Sequence, residues 1–146
     1  MPNPDRVHVL FLCLGNACRS PIAESIARRD AADVLDPSSA GLFPLGYIPP
    51  ATAQTLQSNG YSSESLSSKP ITREAWDAAD LIINLSGTRT DPLFHHSDKV
   101  EDWNVSDPYG ASPEFYQQTL DDIASRVQAL AHRLRLQRPT PQAPKG

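Results

Sequence analysis

Cysteine is nearly absent from this sequence. Its 146 residues include two, Cys13 and Cys18, too few for a disulfide scaffold or a four-cysteine zinc site. Long apolar runs are missing as well. The longest, Val9 to Leu14, is far short of the roughly 20 residues that a membrane helix needs. Basic residues are not in excess either: a formal charge of -4 argues against nucleic acid or an anionic membrane as partner. Residues Met1 to Asp5 lack the basic-then-apolar order of a secretion signal, so a cytoplasmic location is expected. Proline, in contrast, is abundant at 14 residues, about twice the usual share.

A 16.0 kDa chain fits one domain, expected over residues 6–137, with residues 1–5 and 138–146 as disordered tails lacking hydrophobic periodicity. Val7, Val9 and Leu10 to Leu12 read as a buried strand closed by the turn signal Gly15-Asn16. Ser20 and Pro21 suit the N-cap and first position of a helix; Ile22, Ala23, Ile26 and Ala27 form its apolar face, with Glu24, Arg28 and Arg29 turned to water. A strand near Ser38 to Ala40 precedes a proline-rich loop. A helix over Ala51 to Ser58 ends at Asn59-Gly60, and Thr72 caps another. Leu81 to Leu85 is a second clear buried strand, and Lys99 to Glu101 a short one. Ser112 and Pro113 open a long helix in which Tyr116, Leu120, Ile123, Val127, Leu130 and Leu134 form a core-facing stripe. His8 reads as structural and His95-His96 as solvated, so no metal site is expected. Alternating strands and helices predict an α/β fold with a parallel sheet covered on both faces, and ligands beyond the carboxyl ends of its strands.

The loop after the first strand, Cys13-Leu14-Gly15-Asn16-Ala17-Cys18-Arg19-Ser20-Pro21, is therefore the first place to look. A free cysteine is ordinarily a small buried hydrophobe. Here it ends a strand just before a helix opens, where successive backbone N–H groups make an oxyanion nest and favour a thiolate. Gly15 and Asn16 tolerate the left-handed backbone of a tight cradle. Arg19 offers a planar fork that grips two phosphate oxygens, which lysine does not reproduce. Nucleophile, cradle and clamp thus lie within one short segment.

This loop resembles the signature of the low-molecular-weight protein tyrosine phosphatases. Further similar segments are Ser39-Ala40-Gly41, the strand near Leu81 to Leu85, and Val105-Ser106-Asp107-Pro108-Tyr109-Gly110. The resemblance implies that family's fold: a three-layer α/β sandwich with a four-stranded parallel sheet in flavodoxin-like order. It implies Cys13 as nucleophile, Arg19 as phosphate clamp and Asp107 as general acid. The loop from Leu14 through Gly15, Asn16, Ala17 and Cys18 to Ser20 would bind phosphate, with no cofactor. Ser20 would hydrogen-bond the thiolate, and Asn16 and Ser39 would brace the loop. Tyr109 would form one substrate wall, with Leu14 and Ala17 at the base. Counting along the variable loop puts Leu45 on the opposite wall, flanked by Phe43 and Tyr47, and Tyr47 is taken with Leu45 as wall. Cys18 is either a redox guard of the nucleophile or a packed thiol.

The implied activity is hydrolysis of phosphomonoesters, phosphotyrosine in proteins or a small aryl phosphate, by a monomer or weak dimer. Two departures stand out. The stretch Ser62 to Ser68 lacks a histidine that often supports the loop asparagine, and the strand through Asn84 lacks a common methionine. The middle segments also resemble the arsenate reductases of this fold, which relay oxidation through two downstream cysteines. No cysteine follows Cys18, so reductase chemistry here would need an external thiol. A non-catalytic phosphate-binding module is the third reading.

Overall fold

A computed structural model describes residues 6–88 and 98–137. The expectations for both tails and for His95-His96 lie outside these residues. In chain order the elements are β1 (Val7–Cys13), α1 (Arg19–Asp30), β2 (Leu35–Gly41), α2 (Pro50–Ser58), α3 (Arg73–Ala78), β3 (Leu81–Asn84), β4 (Val100–Asp102) and α4 (Pro113–Gln137). All neighbouring strands are parallel, in the order β2-β1-β3-β4. This is the expected three-layer α/β arrangement with flavodoxin-like order.

Alternation along β1 divides the core. Val9, Phe11 and Cys13 join the apolar faces of α1 and α4, including Ile22, Ile26, Ile123 and Val127. Leu10 and Leu12 face the other way, onto Trp76 of α3 and Ile82 of β3. Burying both faces explains why β1 and β3 read as continuous apolar runs. On α4 the stripe from Tyr116 through Leu130 is buried as expected. Ser112 caps it by accepting from Phe115 N at 3.2 Å, and Thr72 caps α3 by accepting from Ala75 N.

Three expectations change. Helix α1 begins at Arg19, so Ser20 and Pro21 lie inside its first turn, and no side chain caps it. Pro21 is still tolerated, because the first N–H groups of a helix have no intrahelical partner. Strand β2 is longer than its Ser-Ser-Ala centre and passes through Pro37, which an edge strand can accept. Glu24 does not face water: it is buried, held by Arg28 and by the Ser39 hydroxyl. His8, exposed near the start of β1, pairs with Asp36 at 2.9 Å, a structural role. Register sets Cys13 beside Gly41 at the carboxyl edge of the sheet.

Candidate active site

Between the end of β1 and the start of α1 the chain makes a tight loop. Asn16 takes the left-handed backbone there, with φ 47°, while Gly15 does not. Asn16 is fully buried, and every polar atom of its side chain has a partner. Its Nδ2 donates to Ser20 Oγ at 2.8 Å and to Ser39 Oγ at 3.0 Å, and its Oδ1 accepts from Lys69 N at 2.9 Å. The loop asparagine is thus supported by a backbone amide, the stretch Ser62 to Ser68 having no histidine. The segment after β2 runs alongside the loop: Leu42 N, Phe43 N and Leu45 N donate to the carbonyls of Cys13, Leu14 and Gly15. Gly41 is where the two pass closest. A Cβ there would lie 2.8 Å from Asn16 N and 2.9 Å from its Cβ, so a side chain does not fit.

Over this loop opens a cavity of about 460 Å³ that brings together Cys13, Arg19 and Asp107. Cys13 is buried, and its Sγ lies 2.9 Å from Ser20 Oγ. Arg19 is aimed by the segments that follow β3 and β4: its Nη1 donates to the carbonyls of Leu85 at 2.6 Å and Val105 at 3.2 Å. Its Nη2 stands 3.5 Å from Asp107 Oδ2. Asp107 keeps its side chain about half exposed and accepts from Tyr109 N at 3.1 Å, which fixes the carboxyl in the loop before α4. A thiol, a guanidinium and a carboxyl therefore share one cavity, an arrangement suited to displacement at an oxyanion.

Leu14, Gly15, Ala17, Cys18, Leu45 and Tyr109 also line the cavity. Tyr47 is not among the lining residues; Phe43 and Pro44 are. The hydrogen bonds to the loop carry positions 43 to 45 along the cavity, and Gly46, with φ 98°, then turns the chain away. Tyr47 instead hydrogen-bonds Tyr109, which is the main reason the Tyr109 phenol sits above its ordinary pKa.

Cys18 is packed differently from Cys13. Its Sγ lies 3.3 Å from the Tyr116 hydroxyl and 3.5 Å from Thr52 Oγ1, and both cysteines are free thiols. Burial pushes the Cys18 thiol up, against the opposing effect of those two hydroxyls. Thr52 also donates to the Ala17 carbonyl at 2.9 Å, fastening the loop to α2. Gly41, Thr52, Tyr116 and the carbonyls of Leu85 and Val105 were not picked out by the sequence reading. Backbone carbonyls carry no residue signature, and Gly41 stood there only within a matching segment. Among the described residues no cluster of three or more His, Cys, Asp or Glu is arranged to hold a metal.

Comparison with known proteins identifies the family. The family model described as low molecular weight phosphotyrosine protein phosphatase matches residues 8–140. A protein-arginine-phosphatase of Bacillus subtilis is 32% identical, the match covering 89% of this chain and 98% of that protein. Arsenate reductase 1 of Bacillus cereus is 30% identical over 84% of this chain and 92% of its own length. The solution structure of a low molecular weight protein tyrosine phosphatase from Bacillus subtilis superposes with a TM-score of 0.78 at 28% identity, covering 90% of this chain and 99% of that one.

Proposed function

The chain belongs to the low molecular weight phosphotyrosine protein phosphatase family, and on that premise we propose that it hydrolyses aryl phosphomonoesters, protein phosphotyrosine above all, through a phosphorylated Cys13. The observation that carries this reading is the meeting of Cys13, Arg19 and Asp107 in one cavity with apolar walls. In the first step the Cys13 thiolate attacks phosphorus, the bond to the aryl oxygen breaks, and Asp107 gives that oxygen a proton. In the second, water attacks phosphorus, Asp107 takes its proton, and the S–P bond breaks to return the thiolate. Arg19 and the N–H groups of residues 14–20 carry the charge on the equatorial oxygens in both steps. Ser20 holds the sulfur, and Asn16 and Ser39 keep the loop in shape.

The walls favour an aryl group. Leu14, Phe43, Pro44, Leu45 and Tyr109 present mostly carbon to a ring, and among the described residues Asp107 is the sole carboxylate of the lining. Arsenate would fit the same cradle, with reduction completed by an external thiol because no cysteine follows Cys18. Free thiols at Cys13 and Cys18 suit a reducing, cytoplasmic setting. No helix among the described residues is long and apolar enough to cross a membrane.

One preparation assayed on a phosphotyrosine peptide, a phosphoarginine peptide and arsenate with added thiol separates these substrates. The expected order places the phosphotyrosine peptide first in kcat/KM, with turnover lost in Cys13→Ser. Preference for phosphoarginine or arsenate would reject the aryl assignment, and full turnover by Cys13→Ser would reject the mechanism.

A further inference from the structure

Among the described residues six large hydrophobic side chains are exposed, and five of them lie at or beside one cavity. These are Leu14, Phe43, Leu45, Tyr47 and Tyr109; the sixth, Leu136, is near the end of α4. An aryl group held in the cavity does not use all of this surface. Phe43 lines the cavity and is nevertheless 68% exposed. Tyr47, 54% exposed, is outside the lining and meets Tyr109. Carbon surface thus continues from the cavity wall onto the face around it. Single exposed apolar residues need no explanation, but a group of them gathered in one place marks a binding surface.

The backbone that presents Phe43 is held on both sides. Phe43 N and Leu45 N donate to the carbonyls of Leu14 and Gly15 at 2.8 and 2.9 Å, and the ring of Pro44 fixes its own φ between them. Gly46 N then donates to Ser68 Oγ at 2.9 Å. Binding therefore costs little ordering of this segment. The charges of the face point to the kind of ligand. Among the described residues Arg19 is the one cation of the lining, and it is buried, engaged by two carbonyls and by Asp107. Lys69, the residue after Ser68, turns its ammonium to the Ser67 carbonyl at 3.2 Å. An acidic neighbour of the phosphorylated residue would find no free cation in the lining and would be repelled by the half-exposed Asp107. The chain's own charge of -4 works in the same direction. We propose that Phe43 and Tyr47 select the protein substrate: they receive an apolar side chain next to the phosphotyrosine, so that apolar neighbours are preferred to acidic ones. The proposal rests on phosphotyrosine as the substrate.

The test uses the full chain and phosphotyrosine peptides that differ only in the residues on either side of the phosphotyrosine: leucine, alanine or glutamate. Each kcat/KM is divided by that for phenyl phosphate, which has no neighbours, so any effect of a variant on the cavity itself cancels. The expected order is leucine, alanine, glutamate. Leucine should exceed alanine by about tenfold, the size expected for burying one apolar side chain. The gain should appear in KM, because a neighbouring residue binds alike before and during the reaction. Added salt should narrow the gap between alanine and glutamate and leave that between leucine and alanine unchanged. Phe43→Ser and Tyr47→Ser together should bring the leucine and alanine values to within about twofold, and both side chains are exposed, so neither change opens the core. Phe43→Leu and Tyr47→Phe, which keep the carbon surface, should retain most of the preference. Equal values for leucine and alanine, or a preference for glutamate, would overturn the proposal while phosphotyrosine stands as substrate. A leucine preference that persists in the double serine variant would overturn it too, by placing the choice on other residues. Turnover of a phosphoarginine peptide with none of the three peptides would reject the substrate reading, and this proposal with it.

Discussion

At the scale of single residues, the loop around Cys13 was open to reading because its chemistry resides in side chains. Cys13, Arg19 and Asp107 are reactive or charged groups at a strand end and in loops, and the fold brings them to one cavity. Gly41 was harder to read, since its role is to have no side chain. With a Cβ 2.8 Å from Asn16 N, Gly41→Ala must displace the loop backbone. A shift approaching 1 Å in a reacting group costs on the order of 100-fold, so kcat/KM for an aryl phosphate should fall by about that factor. Unchanged kinetics would mean the loop yields freely. Asp107→Asn makes a separate prediction. Its loss should be large for phenyl phosphate and small for p-nitrophenyl phosphate, whose leaving group hardly needs a proton. Equal losses on both would place the acid elsewhere. The support given to Asn16 by Lys69 N lay beyond any reading of residue types, because every non-proline residue owns that same donor.

At the scale of elements, periodicity was a good guide where an element buries one continuous face. The α4 stripe and the apolar runs of β1 and β3 are the plainest cases. Ends and polar burial were harder. Ser20-Pro21 carries the chemistry of a helix start, yet α1 begins at Arg19, and the Ser20 hydroxyl is engaged by Asn16 and Cys13 instead of capping it. Glu24 sits on the polar side of the helical pattern but is covered, since Arg28 and Ser39 supply the partners that a buried carboxylate requires. In the variable loop Phe43, Pro44 and Leu45 line the cavity, while Tyr47, after the positive-φ Gly46, meets Tyr109. The helix α4 is also where core energetics are most directly testable. Ile123 is fully buried between α1 and the sheet, so Ile123→Ala should cost about 2–5 kcal/mol in urea unfolding. Its kcat per folded molecule should stay near wild type. A cost below about 1 kcal/mol would contradict the packing described.

For the whole molecule, strand alternation disclosed the layers, while the strand order came into view only through the resemblance of the loop to a known family. Stability of the whole chain should respond to alkaline pH in a defined direction. Burial, with the hydrogen bond to Asp30, pushes Tyr61 up to about 12, and burial likewise raises Tyr116 and Cys18. Groups raised on folding stabilise the protein while protonated and cease to do so as pH climbs from the unfolded value through the folded one. Tm should therefore decline above about pH 9, where an unfolded cysteine begins to ionise, and more steeply above about pH 10. Tyr61→Phe should flatten the decline between about pH 10 and about pH 12. A parallel decline in both proteins would remove Tyr61 as a cause. The central claim, that phosphate passes through Cys13, is tested most directly on the intact protein. Turnover of an aryl phosphate is stopped in acid within the first catalytic cycle and the protein is weighed by mass spectrometry. The account predicts one added phosphoryl group, mapped to Cys13 and absent from Cys13→Ser. Phosphate release at full rate with no adduct on Cys13 would contradict it.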